Sequence, residues 1–244
     1  MTVEIFSSDK RLLYAKNVIT SGNLDFERVY LMPIPSTKDG IFINGTDIKL
    51  SDIYVGTKDA VIAYGLPDGV RSAFISRGAV VYDGSLDEDF LVFNAKLTAL
   101  GVLGNVITKK KKSPEDVRFG VIGYGRIGRE LVKYLYFVGA TPTVYTSKEE
   151  VQKQLSEAGV NASLLSDADF ENVDVIINTA PVKILDRVNV DRPTASEVAI
   201  FDLASGDNFE SSSGVIKLMS VPGKVYPESA GVGYGEMALK YFTK

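Results

Sequence analysis

The sequence VRFGVIGYGRIGRELVKYLYFVGATPTVYTSK, residues Val117–Lys148, determines the fold that we predict for this chain. It opens with a short apolar run, Val117 to Ile122, of the kind that forms a buried strand. The glycine-rich segment Gly123–Gly128 follows, and apolar residues then recur at helical spacing as far as Val138. A second strand pattern, Thr141 to Tyr145, completes the order strand, G-x-G-x-x-G turn, helix and strand.

The three glycines of this turn have separate roles in binding a dinucleotide. Gly123 permits a tight turn, Gly125 lets the backbone approach a pyrophosphate, and Gly128 lets the helix pack closely on the strand. The amino terminus of the helix offers free N–H groups and its positive dipole end to the phosphates. The predicted cofactor-binding residues here are Gly123, Tyr124, Gly125, Arg126, Ile127 and Gly128, with Tyr124 and Arg126 over the pyrophosphate. The alternatives are a glycine-rich turn that has lost its ligand, and an Arg126 that is merely exposed on the first helical turn.

The residues at the end of the second strand indicate which dinucleotide binds. An NAD site usually carries Asp or Glu there, about 20 residues past the first glycine, to bind the ribose hydroxyls. This chain has Thr146, Ser147 and Lys148, and its first carboxylate is Glu149. Hydroxyl groups and a cation suit a 2′-phosphate, so the sequence favours NADP over NAD. Ser147 with Glu150 also has the pattern of a capping box for the next helix, and both interpretations can hold together.

The composition excludes several classes of protein. The net charge of −4 over 244 residues argues against a nucleic-acid binder, and Lys109–Lys112 is predicted to be a solvated linker. No cysteine is present, so we expect no disulfide and no thiol chemistry. We see no signal pattern and no apolar run long enough for a bilayer, which predicts a cytoplasmic protein without a membrane partner. Because histidine is absent, any acid or base must be Lys, Tyr, Asp or Glu, and we predict no metal site.

Strand and helix patterns alternate over the whole chain, which predicts an α/β fold. We expect two doubly wound parallel-sheet domains, N-terminal flavodoxin-like and C-terminal Rossmann NAD(P)-binding, joined by a long linker helix. The predicted bounds are residues 1–88 for the N-terminal substrate domain, 89–112 for the linker helix and connector, 113–230 for the Rossmann domain, and 231–244 for a C-terminal helix that is a candidate to pack back on the N-terminal domain. Asn44-Gly45 is a strong hairpin signal between two short apolar segments.

Several segments, taken together in their order and spacing, resemble the dehydrogenase-like subunit of dipicolinate synthase over nearly the whole chain. They are Ser8–Arg11, Pro33–Gly40, Ala63–Gly65, Asn94–Gly101, Gly123–Gly128, Ile177–Pro181, Asp202–Ser205, Pro222-Gly223 and Pro227–Gly231. The chain departs from that family in being shorter. It also has Leu100-Gly101 where the family has a Glu-Gly pair, and Glu228 where the family has a cation.

This resemblance implies an NAD(P)-dependent oxidoreductase acting on a small cyclic dicarboxylate, of the dihydroxy- or tetrahydrodipicolinate type, in a cleft between the domains. It also implies a place in dipicolinate biosynthesis during sporulation, with a second, flavoprotein-like subunit as a partner. We expect a homo-oligomer. The departures at Leu100 and Glu228 leave the exact substrate open.

Candidates for binding the substrate lie in the predicted strand-end loops and in the long helix. They are Arg11, Thr37, Lys38, Asn94, Ser205 and Ser229. Thr37 and Lys38 suit a carboxylate, because a dicarboxylate in a closed cleft needs paired cations or hydroxyls. A solvated loop is the alternative for Thr37 and Lys38, and a solvated helix face is the alternative for Arg11. Asn94 would face the cleft only if the long helix presents it inward.

Further cofactor contacts are predicted after two later strands. Thr179, Ala180 and Pro181 would lie along the nicotinamide ribose, and Ala204 is a further predicted cofactor-binding residue. Asp202 would either hold the nicotinamide carboxamide or cap the next turn. Both segments follow buried strands, and ligands of doubly wound sheets bind beyond the carboxyl ends of the strands.

The catalytic residue stays unidentified, and the candidates are Lys38, Tyr226 and Glu228, each with surface placement as the alternative. The intact phosphate turn and the complete set of strand-end loops favour an enzyme that positions its substrate against the nicotinamide ring. The missing Glu of the long helix and the lack of an obvious proton carrier favour a second hypothesis. In that hypothesis the chain is a catalytically silent NADP-binding sensor or the structural subunit of a complex.

Overall fold

The computed structural model describes residues 1–170, 172–181, 198–204, 208 and 215–243. The chain forms two compact units, the first made of Met1–Asn94 with Pro222–Lys244 and the second of Ala95–Val221. Both ends of the chain therefore build the first unit, and the middle of the chain builds the second. Each unit has its own parallel sheet and its own buried apolar core.

The first unit is a four-stranded parallel sheet with helices on both faces. Its strands are β1 (Thr2–Ile5), β2 (Arg28–Leu31), β3 (Asp59–Ala63) and β4 (Val80–Asp83). Its helices are α1 (Lys10–Ser21), α2 (Asp68–Ser76), the start of α3 (Glu88–Lys110), α6 (Val221–Val225) and α7 (Pro227–Phe242). Side chains alternate across the sheet, so that Val29 and Leu31 face α1 and α7, whereas Tyr30 and Met32 face α2.

The strand order of this sheet differs from that of flavodoxin. A flavodoxin-like domain has the order 2-1-3-4-5, in which the progression of strands reverses once. Here β1 pairs with β2, β2 with β3 and β3 with β4, so the described strands show no reversal. The predicted parallel α/β architecture is confirmed, and its strands follow the order β1-β2-β3-β4 instead of the flavodoxin order. Apolar patterns identify strands, but they do not say which strands are neighbours.

The second unit is a six-stranded parallel sheet in the Rossmann order. Its strands are β5 (Phe119–Ile122), β6 (Thr143–Thr146), β7 (Ala162–Leu164), β8 (Val175–Asn178), β9 (Ala199–Asp202) and β10 (Val215–Lys217), arranged as 10-9-8-5-6-7. Its described helices beside α3 are α4 (Arg126–Phe137) and α5 (Glu149–Glu157). The order reverses between β5 and β8, and ligands of open α/β sheets bind at such a switch point. The predicted Rossmann topology is confirmed.

Among the described helices, only α3 is long and apolar enough to cross a membrane. It is nevertheless a core helix of the second unit. Ala99, Val102 and Val106 are buried, and they pack in one cluster with Val121 of β5 and Leu135 of α4. The sequence analysis did not identify this long apolar run. The apolar residues of α3 cover the Rossmann sheet.

The Asn44-Gly45 turn forms as predicted, but its flanks are too short to be strands. Gly45 has a φ of +82°, in the left-handed region that favours glycine. The N–H of Ile43 donates to the carbonyl oxygen of Ile48 at 2.9 Å, and one isolated antiparallel bridge forms beyond this pair. Ile43 is fully buried in the cluster that includes Phe74 of α2. No described α-helix connects β2 to β3. The turn lies in this connection and covers the neighbouring part of the sheet.

Candidate functional site

The glycine-rich turn lies at the carboxyl end of β5, at the switch point of the second sheet. Gly123 has a φ of +90°, and a Cβ there would come within 2.8 Å of the Ala180 Cβ. Its N–H donates to the carbonyl oxygen of Tyr145 at 2.8 Å, which anchors the turn to β6. Backbone conformation and packing therefore both require glycine at this position.

Gly125 and Gly128 differ in what surrounds them. A Cβ at Gly128 would overlap the carbonyl oxygen of Gly123, whereas a Cβ at Gly125 would meet no atom within 4 Å. Gly125 is exposed and directly precedes α4, and no side chain caps the amino terminus of that helix. Open space beside exposed backbone and free helical N–H groups fits a pyrophosphate. The turn is thus closed on its protein side and open on the side where a ligand would bind.

Arg129 is held on this turn by two contacts with Tyr124. Its Nε donates to the carbonyl oxygen of Tyr124 at 3.2 Å, and its guanidinium lies 5.6 Å from the centre of the Tyr124 ring, a cation–π contact. The N–H of Arg129 donates to the carbonyl oxygen of Gly125 at 2.9 Å, so this arginine stands one helical turn above the second glycine. Arg129 follows Gly125 by four residues, and this helical spacing could have identified Arg129 as a residue of the turn. Arg126, the predicted residue, is exposed on the first turn of α4.

The end of β6 has hydroxyl groups and a cation. Thr146 is buried, and its Oγ1 accepts a hydrogen bond from the N–H of Lys148 at 3.2 Å. Ser147 and Lys148 are exposed. Helix α5 begins at Glu149, and its N-cap is Lys148, which makes no side-chain capping bond. The predicted capping box of Ser147 with Glu150 is wrong, because the helix begins one residue later than that box requires.

The loops after β8 and β9 are joined by buried polar bonds. The Asn178 Nδ2 donates to Asp202 Oδ1 at 2.9 Å, and Asn178 Oδ1 accepts from the N–H of Ala180 at 3.2 Å. Thr179 Oγ1 donates to the carbonyl oxygen of Ile122 at 2.9 Å, which ties this loop to the end of β5. The predicted residues Thr179 and Ala180 thus lie beside the glycine turn, and Pro181, which follows them, is exposed.

Asp202 is fully buried at the carboxyl end of β9. Its carboxylate accepts hydrogen bonds from Asn178, from the N–H of Ala204 at 3.3 Å and from Asn208 Nδ2 at 3.3 Å. This geometry corresponds to the predicted cap of the next turn. The other predicted role, a direct bond to the nicotinamide carboxamide, is not supported, because the carboxylate has no exposed surface. Ala204 is buried in the same network.

Arg11, the substrate candidate on α1, is buried and bonded to Asp9. Its Nε donates to Asp9 Oδ1 at 3.0 Å, and its Nη2 donates to Asp9 Oδ2 at 2.6 Å and to the carbonyl oxygen of Ile34 at 2.8 Å. Gly223 packs against this guanidinium, because a Cβ there would lie 2.8 Å from the Arg11 Nε. Arg11 therefore holds three segments of the first unit together. Neither predicted role, a carboxylate ligand or a solvated side chain, describes it.

Thr37 and Lys38 lie in the loop after β2. Thr37 Oγ1 donates to Asp39 Oδ1 at 3.1 Å and accepts from the N–H of Gly40 at 2.9 Å, so the threonine shapes its own turn. The N–H groups of Ile41 and Phe42 also donate to Asp39, and these bonds lower the pKa of that carboxyl. Lys38 is exposed beside them.

The other described candidates lie on α3, at the N-cap of α7 and on its first turn. Asn94 is half-buried and has a bonding partner, and Ser229 and Glu228 lie on the first turn of α7. Tyr226 is half-buried at the N-cap of α7. Ser205 lies outside the described residues. The structure thus brings the cofactor candidates Gly123, Thr179 and Ala180 together at the switch point of the second sheet.

Three solved structures have the same fold as this chain. A subunit of dipicolinate synthase from Bacillus halodurans is 17% identical, with a TM-score of 0.75 over 100% of this chain and 98% of that one. The corresponding subunit of dipicolinate synthase from Bacillus subtilis is 15% identical, with a TM-score of 0.73 over 100% and 96%. D-lactate dehydrogenase from Escherichia coli is 14% identical, with a TM-score of 0.57 over 100% and 96%. No protein-family model and no curated protein matches the chain.

The chain has the fold of the two-domain NAD(P)-dependent dehydrogenases. At these identities the likeness shows the fold alone. Within this fold, sequence analysis missed Arg129, Asn178 and Asn208 as parts of the site. Asn178 carried a usable signal, because it is a polar residue at the last position of a buried strand at the switch point. Asn208 carried none, because nothing in the sequence indicates its bond to Asp202.

Proposed function

We propose that this protein is an NAD(P)-dependent oxidoreductase whose dinucleotide binds at the carboxyl ends of β5 and β8. The contrast between the glycines of the turn is the observation that supports this most. Gly123 and Gly128 are glycine because protein atoms leave no room for a side chain, but Gly125 is glycine where there is ample room. A pyrophosphate on the α4 amino terminus would account for the absence of a side chain at Gly125.

We propose NADP as the preferred dinucleotide. Lys148 is exposed directly after β6, next to the exposed Ser147, where an NAD site would carry a carboxylate. The N–H of Lys148 is held by Thr146, which fixes the backbone of this corner. Glu149 and Glu150 follow in the first turn of α5 and reduce the local positive potential. The 2′-phosphate would therefore depend on Lys148 for its charge contact.

The proposed substrate is a small cyclic dicarboxylate of the dihydroxy- or tetrahydrodipicolinate type. The likeness to two dipicolinate synthase structures supports this class. A bound nicotinamide supplies or accepts the hydride, and the chain itself binds and orients both molecules. Lys38 is exposed on the loop after β2 and is available to a carboxylate, whereas Arg11 is bonded to Asp9. The same proposal includes a flavoprotein-like second subunit, a homo-oligomer, a cytoplasmic location and a role in sporulation.

A second candidate function is a catalytically silent NADP-binding sensor or structural subunit. The placement of the proton-carrier candidates favours it, because Lys38 is exposed, Glu228 lies on the first turn of a helix and Tyr226 lies at its cap. A general acid or base usually requires a site where its surroundings tune it. The two functions share the dinucleotide site and differ only in turnover.

Fluorescence titration with NADPH and NADH tests the dinucleotide site. The wild type should bind both and prefer NADPH, and Gly125→Val should lose both, because its side chain fills the proposed pyrophosphate position. Lys148→Ala should weaken NADPH by about tenfold, the loss of one charge-assisted contact, and leave NADH nearly unchanged. Lys153→Ala is the matched control, since Lys153 is also an exposed lysine of this segment, on α5. A wild type that binds neither nucleotide would overturn the proposed function.

Turnover separates the enzyme from the silent protein. The wild type is mixed with NADPH or NADP and with dihydroxy- or tetrahydrodipicolinate, alone and with a candidate flavoprotein-like partner, and the nicotinamide absorbance is followed. A change in absorbance that depends on the substrate and is lost in Gly125→Val supports the enzyme. Tight binding of NADPH with no change under any of these conditions supports the sensor or structural subunit.

A further inference from the structure

The side chain of Thr179, in the loop after β8, is bonded to the start of the glycine-rich turn. Its Oγ1 donates to the carbonyl oxygen of Ile122 at 2.9 Å and lies within hydrogen-bond distance of the carbonyl oxygen of Gly123, at 3.3 Å. The backbone N–H of Thr179 donates to the same Ile122 oxygen at 2.8 Å. One residue of the β8 loop therefore holds two successive carbonyl groups at the point where β5 ends and the turn begins.

The same hydroxyl lies against two glycines of the turn. A Cβ at Gly123 would come within 2.9 Å of Thr179 Oγ1, and a Cβ at Gly128 would come within 3.1 Å of it. A Cβ at Gly123 would also lie 2.8 Å from the Ala180 Cβ. The N–H of Ala180 donates to Asn178 Oδ1 at 3.2 Å, which holds the loop that presents both side chains. The loop after β8 thus packs directly on the first and third glycines of the turn.

We propose that Thr179 is a positioning residue for the pyrophosphate, because its hydroxyl holds the Gly123–Gly128 turn in the shape that receives the diphosphate. This inference rests on the proposed function and gives Thr179 a role other than the predicted contact along the nicotinamide ribose. A threonine hydroxyl has one proton to donate. Here that proton is directed at the carbonyl oxygens of Ile122 and Gly123, so it is committed to the turn and not to a ribose.

The bond to Gly123 fixes the orientation of the first peptide group of the turn. In a planar trans peptide, the C=O and N–H groups point in opposite directions. With the Gly123 oxygen directed at Thr179, the N–H of Tyr124 is directed to the other side of the peptide plane. The turn is closed by protein atoms on the Thr179 side and open at Gly125. Loss of the hydroxyl would therefore free this peptide to rotate and loosen the surface on which a diphosphate would lie.

Three ligands distinguish a role in the turn from a contact with the nicotinamide ribose. NADPH contains the 2′-phosphate, the diphosphate and the nicotinamide ribose. Adenosine 2′-phosphate 5′-diphosphate keeps the diphosphate but lacks the nicotinamide riboside, and adenosine 2′-monophosphate lacks both. A residue that shapes the turn affects the first two ligands equally and spares the third. A residue that touches the nicotinamide ribose affects NADPH alone.

The variants Thr179→Ser and Thr179→Ala isolate the hydroxyl, because serine keeps it and alanine removes it. Calorimetry measures the dissociation constants of the three ligands. In Thr179→Ala the affinities for NADPH and for the diphosphate should each fall about tenfold, the loss of roughly one hydrogen bond, while adenosine 2′-monophosphate binds as before. Thr179→Ser should match the wild type for all three ligands. The matched control is Thr143→Ala, since Thr143 is the first residue of β6, at the opposite end of the sheet; it should change none of the three affinities.

The pattern of losses decides the inference, and the wild type alone decides the proposed function. If Thr179→Ala weakens NADPH only, the hydroxyl touches the nicotinamide ribose and the inference is overturned. Equal losses for all three ligands would show a structural role only, and unchanged affinities would show no role, so either result overturns it too. If the wild type binds none of the ligands, the proposed function fails and the inference with it. Should Thr179→Ala not fold, Thr179→Val, which fills the space that alanine leaves empty, is judged by the same pattern.

Discussion

At the scale of single residues, the glycines of the turn show that one motif contains positions under opposite constraints. At Gly128 the carbonyl oxygen of Gly123 leaves no room for a Cβ, whereas a Cβ at Gly125 would meet no atom within 4 Å. Because φ at Gly125 is −76°, its backbone would accept any residue. Substitution of Gly128 should therefore lower the stability of the protein, whereas substitution of Gly125 should weaken ligand binding.

Gly128→Ala is expected to destabilise the protein by about 2 kcal/mol, since either the turn or α4 must shift to admit the new Cβ. Gly125→Ala should change the free energy of unfolding by less than about 1 kcal/mol and weaken dinucleotide binding instead. Urea denaturation followed by circular dichroism measures the first effect, and fluorescence titration measures the second. Equal losses of stability in the two variants would show that both glycines serve packing alone.

The Tyr234 hydroxyl is another residue-scale feature with a measurable consequence. Tyr234 is fully buried on α7, and its hydroxyl has no hydrogen-bond partner among the described residues. The same burial raises the pKa of this hydroxyl well above its usual value, so it stays protonated. Tyr82, which packs beside it, instead donates to Asp87 Oδ2 at 2.9 Å. The two tyrosines are thus matched in burial and differ in bonding.

Tyr234→Phe is expected to raise the free energy of unfolding by about 1 kcal/mol, because it removes a desolvated hydroxyl that gains no bond in the fold. Tyr82→Phe should lower it by a similar amount, since Asp87 loses its donor. Urea denaturation at constant m-value measures both. A Tyr234→Phe variant less stable than the wild type would mean that the hydroxyl has a partner, such as a buried water.

At the scale of secondary-structure elements, the pairing of α1 with α7 depends on glycine. A Cβ at Gly231 would lie 2.8 Å from the Tyr14 Cβ and would overlap the carbonyl oxygen of Arg11. A Cβ at Gly235, one turn later, would lie 2.9 Å from the Val18 Cβ. Glycines four residues apart lie on one helix face, so the backbone of α7 can rest directly on α1. This contact joins the two ends of the chain.

Gly231→Ala is expected to destabilise the first unit by about 2 kcal/mol, because the helices must move apart. Gly104→Ala is the control: Gly104 lies inside α3, where a Cβ would meet no atom within 4 Å, and the change should stabilise the protein by about 0.5–1 kcal/mol. Thermal unfolding of both variants tests the pair. If Gly231→Ala behaves like Gly104→Ala, the close approach of α7 to α1 is not real.

At the scale of the whole molecule, the sequence predicted what local patterns determine and missed what distant contacts determine. The Gly123–Gly128 turn was predictable because its conformation follows from residues close to one another in the chain. The burial of Asp202 was not, because it depends on Asn178, which lies 24 positions away. The order of the first sheet and the bonding of Arg11 likewise depend on segments far apart in the chain.

The construction of the first unit from both ends of the chain gives the last prediction. Tyr234 and Ala238 of α7 are buried in one cluster with Leu12 and Ile19 of α1. A chain that ends at Val221 would leave this apolar face in water, and losing large buried side chains costs several kcal/mol, a large part of the stability of a domain.

The truncated chain should therefore lose hydrogen-exchange protection in β1 to β4 and keep it in β5, β6 and β8, whose cluster lies within residues 95–221. A peptide of residues 222–244 added in excess should restore protection in β1 to β4. The full chain with Lys240→Ala, a change of one lysine in the last turn of α7, should resemble the wild type. Full protection of β1 to β4 without residues 222–244 would show that the first unit folds from its N-terminal part alone.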